Sequence, residues 1–200
     1  PTFSDIILGL PDETYNSFTN GISSIIEAGQ HNRIQFINLT VLENTEMAEP
    51  YFIKKHGLRL QESKIISHHT NMNNEEEVFE RQFLVVATKT MPRNDWLKAR
   101  TFCWLTALLH FNKTLQIPLI LLNNECRISY KDLIEAFLFC EKEKFPVISH
   151  IKDIMVNKAI GIQNGESEYI PSEQWLNIWW PVDEYLFIKL VRDDSLNAFY

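Results

Sequence analysis

Apolar and polar positions divide the chain into a strand-rich beginning and a helical remainder. Phe3 and residues 6–8 form an almost continuous apolar run, the pattern of a strand covered on both faces. Gly9 ends the run where a side chain would obstruct the backbone, and Pro11 fixes φ and stops the strand. Thr14 stands as an N-cap, and Tyr15, Phe18, Ile22, Ile25 and Ile26 recur at helical spacing. Gly29 stands where a C′ glycine belongs, and residues 33–42 read as a second strand. Strand, helix and strand at this length make a βαβ unit, normally parallel and right-handed. Residues 43–50 are a polar turn region. Residues 50–57 follow as a short helix with Pro50 at its start and Gly57 as its stop. Residues 64–69 and 79–88 read as an antiparallel strand pair joined by a polar, acidic connection over 71–77.

From Met91 onward the pattern is helical. Trp96, Ala99, Arg100, Cys103, Trp104, Ala107, Leu108 and Phe111 follow one another at steps of three and four after a start signal over 92–95. Residues 115–122 read as a short helix kinked or begun at Pro118. Ser129 caps a helix through Lys144, with Leu133, Ile134, Phe137 and Leu138 inward. A helix over 146–160, a loop over 161–171 and a last helix over 182–192 complete the reading. The class is α/β at the start and α+β overall. The expected boundary lies near Leu60, giving domains 1–60 and 61–200.

The sum of 19 basic and 26 acidic residues is −7, which argues against nucleic acid as a partner. Apolar content is 45%, enough for a real core, yet no stretch approaches a membrane span. Three cysteines without framework spacing point to a reducing cytoplasm, where the two Asn-x-Thr sequons at Asn38 and Asn112 carry no meaning. The chain opens at Pro1 almost directly in an apolar strand. A free-standing domain would leave that strand's edge unpaired, so the expectation is a piece of a longer polypeptide, with oligomerisation through the open edge as the other way to cover it.

Asp5-Ile6-Ile7-Leu8-Gly9-Leu10-Pro11-Asp12-Glu13-Thr14 resembles the D-I-I-x-G-L-P-G-E-T stretch on a late strand of the radical SAM barrel. It is most similar to the radical SAM proteins that also carry a cobalamin-binding domain. Gly29-Gln30-His31, Leu42-Glu43-Asn44-Thr45-Glu46-Met47-Ala48, Thr88-Lys89-Thr90-Met91 and Trp180-Pro181-Val182-Asp183-Glu184 fit the same group. Asp12 and Glu43 depart from it, standing where the pattern prefers Gly and Pro. The resemblance implies the terminal βαβ part of a TIM-like barrel, followed by a β-hairpin and a mostly helical C-terminal domain. It also implies an oxidoreductase or methyltransferase parent using S-adenosylmethionine, a [4Fe–4S] cluster and cobalamin on an unidentified substrate. The cluster motif of that family, Cys-x-x-x-Cys-x-x-Cys, holds three irons by thiolates. Cys103, Cys126 and Cys140 are far too widely spaced for it, and Cys103 and Cys140 read as small buried hydrophobes. The cluster loop and cobalamin domain are therefore expected upstream on the same polypeptide, and this piece alone is expected to be inactive.

The resemblance puts Ile7, Gly9 and Leu10 beside the adenine of S-adenosylmethionine. The plain alternative is that Gly9-Leu10-Pro11 is only a strand-to-helix turn. His68 and His69, as neighbours on a strand, would point to opposite faces and could not share one metal ion. His110 reads as a core or capping residue and His31 as a loop residue, while Glu75, Glu76 and Glu77 read as solvated surface. The density of Trp96, Phe102, Trp104, Phe111, Trp175, Trp179 and Trp180 fits aromatic plugs in a core, or alternatively a substrate channel. Against the enzyme reading stands a non-catalytic docking module with an aromatic-rich helical surface.

Overall fold

The fold was analysed in a computed structural model describing residues 2–72, 80–193 and 195–199. The acidic run 75–77 and Phe79 lie outside the described residues. Strand β1 (Phe3–Leu8), helix α1 (Tyr15–Glu27) and strand β2 (Arg33–Asn38) form the βαβ unit, with β1 and β2 parallel and Phe3 opposite Arg33 through Leu8 opposite Asn38. Thr14 caps α1 as expected. Its hydroxyl accepts from Ser17 N at 3.1 Å, and Ser17 Oγ accepts from Thr14 N at 2.9 Å. Gly29 follows the C-cap Ala28 at φ +102°.

Two expectations about this unit are corrected. The strand is not covered on both faces, because burial alternates: Leu8 is buried, while Phe3 is 73% and Ile7 39% exposed. The second strand does not run unbroken to residue 42. Leu39 donates its N–H to Leu8 O at 2.8 Å and accepts from Val85 N at 2.8 Å. The chain thereby leaves the parallel pair and enters a second sheet as β3 (Thr40–Val41). Apolar alternation continues through this change of partner, so the pattern could not reveal it.

Helix α2 (Pro50–His56) ends on Gly57 at φ +60°, and the chain turns straight into β4 (Arg59–Lys64). This corrects the strand placed at 64–69. Pairing with β5 (Arg81–Ala87) begins at Arg59, opposite Ala87, right after the glycine turn, and the register shifts at Leu60, which stands opposite Val85. Residues beyond Lys64 leave that sheet, and His69 N–H donates to Trp179 O at 2.7 Å. The three-stranded sheet has the order β3-β5-β4, all antiparallel. Leu60 lies inside β4.

The helical part contains α3 (Arg93–Thr106), whose last turn widens into a buried π-helical segment, Ala107–Phe111. Next come α4 (Gln116–Cys126), α5 (Tyr130–Leu138) and α6 (Pro146–Gln163). Helix α5 stops at Leu138 instead of Lys144, because the charged run 141–144 offers no apolar position to bury. A short hairpin of β6 (Ile170–Ser172) and β7 (Ile178–Trp180) stands where a loop was expected, ahead of α7 (Val182–Arg192) and the short α8 (Leu196–Phe199). One apolar core joins Leu8, Ile22 and Ile34 with Trp96, Phe102, Leu105, Met155 and Leu186, so it is continuous across residue 60. Mixed helices and small sheets agree with an α+β class. Among the described residues no single helix is long and apolar enough to cross a membrane.

Candidate functional site

At the carboxyl end of β1, Gly9 has φ +99° and is buried. A Cβ there would lie 3.3 Å from Val85 O and 3.5 Å from Val85 Cγ1. Both the backbone conformation and the approach of β5 therefore demand glycine. Ile7 and Leu10 differ from Gly9: they are 39% and 38% exposed. Ile7 stands opposite Ile37, itself 40% exposed, so the two strands present an open aliphatic surface.

A cleft of about 580 Å³ runs along β2 and takes in Phe3 and Ile37. Residues 32–37 form one wall. Arg100 and Trp104 of α3, the pair His68 and His69, the pair Glu168 and Tyr169, and the start of α7 form the others. Arg100 is the central side chain. It is 6% exposed, donates from Nη1 to Phe36 O at 3.0 Å, and lies 3.8 Å from Glu168 Oε1. Its guanidinium also stacks 4.6 Å from the centre of the Trp104 ring. Glu168 accepts a hydrogen bond from Asn38 Nδ2. Burial pushes its carboxyl up, opposed by Arg100, Asn38 and Lys158.

A second polar group closes the opposite end. Arg33 donates from Nη1 to Asn112 Oδ1 at 2.9 Å and lies 3.6 Å from Asp183 and 3.4 Å from Glu184. Asn112 Nδ2 donates to Asp183 at 3.1 Å, and His69 Nε2 is 2.8 Å from Glu184 Oε2. Asp183 is buried, which raises its carboxyl, while Arg33 and Asn112 pull it back.

No family model matches this sequence. The cobalamin-dependent radical SAM methyltransferase TokK of Streptomyces tokunonensis is 33% identical over 136 residues, covering 68% of this chain and 20% of that protein. The 2-(S-pantetheinyl)-carbapenam-3-carboxylate methyltransferase of Streptantibioticus cattleyicolor is 31% identical over 109 residues, covering 54% of this chain and 16% of that protein. The chain is related to the cobalamin-dependent radical SAM methyltransferases. The resemblance carried by the Asp5 to Thr14 motif is thereby borne out. The chain spans no more than a fifth of these curated relatives.

With the radical SAM relationship in place, the residues can be weighed against its cofactors. Cys103 is fully buried with its thiol pushed up to about 12, Cys126 is exposed, and Cys140 is half-buried. Among the described residues no group of three His, Cys, Asp or Glu could hold a metal ion, so these residues do not fit a cluster. The aliphatic surface of Ile7 and Ile37 does fit the flat face of a nucleobase. His68 and His69 lie past β4 rather than on a strand, so the alternating-face argument does not apply to them. His69 bonds Glu184, and the His68 ring meets Tyr169. His110 is core, as read, and its Nε2 meets His31 Nδ1 at 3.1 Å. Trp96, Phe102, Trp104 and Phe111 are core plugs, while Trp175, Trp179 and Trp180 are only half-buried. Sequence reasoning missed the Arg33, Arg100, Glu168, Asp183 and Glu184 network. One signal was present: Arg100 falls on the apolar stripe of α3, where an arginine needs a buried partner.

Proposed function

We propose that this chain is the late part of the barrel, with the following helical domain, of a cobalamin-dependent radical SAM methyltransferase. The 33% identity to TokK over 136 residues supports this reading, and the parallel βαβ unit carrying the Asp5 to Thr14 motif agrees with it. The intact enzyme would cleave S-adenosylmethionine reductively at a [4Fe–4S] cluster bound elsewhere on the polypeptide and transfer a methyl group with cobalamin. Ile7 and Leu10 would pack on the nucleoside of S-adenosylmethionine, with Gly9 shaping the turn that presents them. Phe3, 73% exposed at the end of β1 away from Gly9, would be covered by the rest of the barrel, and the 200 residues alone would be inactive. The name of the Streptantibioticus relative further favours a substrate carrying a pantetheinyl arm.

The test uses the intact protein, reconstituted anaerobically. Ile7→Asp places a charge against the nucleoside but replaces a side chain at the surface of this chain. It should weaken S-adenosylmethionine binding and 5′-deoxyadenosine formation at an unchanged melting temperature. Wild-type affinity in Ile7→Asp would remove the cofactor assignment, and an intact protein that forms no 5′-deoxyadenosine would remove the whole reading.

A further inference from the structure

Most basic side chains of this acidic chain meet an acceptor oxygen, as Arg33, Arg100 and Lys158 do. Lys54, Lys55, Arg59 and Lys89 differ. All are exposed, and none of their side chains has an ion pair or a hydrogen bond among the described residues. They also converge on one place. Lys54 and Lys55 lie in the last turn of α2. Gly57 turns the chain, and Arg59 opens β4 opposite Ala87, near the end of β5. Lys89 follows just after β5. Its N–H donates to His56 O at 2.9 Å, and a Cβ on Gly57 would lie 3.2 Å from Lys89 Cβ. The negative end of the α2 dipole accounts for Lys54 and Lys55. It does not account for Arg59 and Lys89, which come from the sheet. Like charges gathered without counter-charges repel one another, and an opposite charge brought from outside relieves that.

The patch borders the turn that the Asp5 to Thr14 motif forms. His56 Nδ1 lies 3.4 Å from Asp12 Oδ1, and Thr90, next to Lys89, donates from Oγ1 to Glu13 O at 2.7 Å. That turn follows the carboxyl end of β1, the end at which parallel strands present their ligands. Charge around the patch narrows the partner. Glu46 and Glu49 precede the other end of α2, about 10 Å away along the helix. A uniform polyanion, such as nucleic acid or an anionic membrane, would meet both ends, and the net charge of −7 opposes its approach. A discrete acidic patch on a protein meets the cations alone.

We propose that Lys54, Lys55, Arg59 and Lys89 form a docking surface for the acidic face of a protein that carries single electrons. This rests on the methyltransferase reading above and deepens it, because reductive cleavage of S-adenosylmethionine takes an electron from outside. The docked donor is oxidised by one electron, and the [4Fe–4S] cluster bound elsewhere on the polypeptide is reduced by one. An interface held by exposed charges forms quickly and holds weakly, which suits a carrier that must leave after each delivery.

The probe is flavodoxin, an acidic one-electron flavoprotein, titrated calorimetrically into the intact protein reconstituted anaerobically. Its affinity should fall about tenfold between about 50 and 200 mM salt. Lys54→Glu with Lys55→Glu should weaken binding about tenfold at an unchanged melting temperature, and Arg59→Glu with Lys89→Glu should do the same from the sheet side. With reduced flavodoxin as donor, 5′-deoxyadenosine formation should slow in both variants. With dithionite, a small reductant that needs no docking, it should keep the wild-type rate. Wild-type affinity and rate with flavodoxin in both variants would overturn the docking surface, as would no binding of flavodoxin at low salt. A loss with dithionite as well would mean that these residues act on the cofactor site, and tighter binding of single-stranded RNA or of anionic vesicles would give the patch to another class of partner. Either result overturns the proposal. If the wild type forms no 5′-deoxyadenosine with dithionite, it is the methyltransferase reading that fails.

Discussion

Replacing Arg100 by Leu removes three interactions at one buried point. The guanidinium donates to Phe36 O at 3.0 Å, lies 3.8 Å from Glu168 and stacks on Trp104 at 4.6 Å. A hydrogen bond from a charged donor contributes about 1.5–3 kcal/mol, and a desolvated cation–π pair about 2 kcal/mol. The largest cost is what remains: Glu168 stays buried without its cation. Breaking a buried pair from one side costs about 3–5 kcal/mol, and because the three interactions share one side chain, that range is the expected total near neutral pH. Burial already raises the Glu168 carboxyl, and losing Arg100 raises it further. A carboxyl raised on folding stabilises the fold while protonated, and that contribution is lost as pH rises through its folded pKa. The deficit of Arg100→Leu should therefore be greatest at about pH 8 and shrink toward about pH 5. Urea unfolding of the 200-residue chain across that range measures it. Adding Glu168→Gln should recover most of the loss, since no charge is then left buried. A deficit under about 1 kcal/mol, or one that does not change with pH, would refute this account of the cleft.

Gly9→Ala should cost about 1–3 kcal/mol, since φ is +99° and the new Cβ meets Val85 O at 3.3 Å. Gly29→Ala, at φ +102° in open space, should lose only the backbone share, so equal urea midpoints would show that the Val85 approach costs nothing. Burial and then His31 push His110 down to about 4, so the neutral ring contributes stability above its ordinary pKa of 6.5, and that stability falls as pH drops toward 4. The slope should reach at most about 1.4 kcal/mol per pH unit. His110→Phe should flatten the profile, and an unchanged slope would place the titration elsewhere. In native protein, iodoacetamide should modify exposed Cys126 first and Cys103, buried with its thiol pushed up to about 12, only on unfolding. Equal labelling rates would contradict the packing around α3.

The elements that announce themselves locally were legible in the sequence. Thr14 with Ser17 starts α1, Pro50 and Gly57 bracket α2, and Ser129 starts α5, because each cap satisfies backbone groups within its own turn. What stayed hidden depends on partners far along the chain. Leu39 changes sheets because Val85 stands where it does. The β6–β7 hairpin is three residues per strand, too short for alternation to register. The cleft network joins Arg33 to Asp183 and Arg100 to Glu168, pairs that no spacing rule can connect. Ile7 and Leu10 were singled out by a motif, and the open aliphatic surface that Ile7 shares with Ile37 appeared only once the strands were paired.

Leu39 also has a mechanical meaning. Its N–H belongs to the parallel pair and its C=O to the antiparallel sheet, with both bonds at 2.8 Å. Gly9, pressed on Val85, ties the same two sheets at the end of the neighbouring strand. Neither sheet can slide along the other without breaking both attachments, so the junction acts as a weld rather than a hinge. Asn38, the residue immediately before the weld, grips Glu168. The Glu168 end of the cleft is thus anchored beside the junction of the two sheets, so widening of the cleft falls to its far walls, the His68–His69 segment and the start of α7.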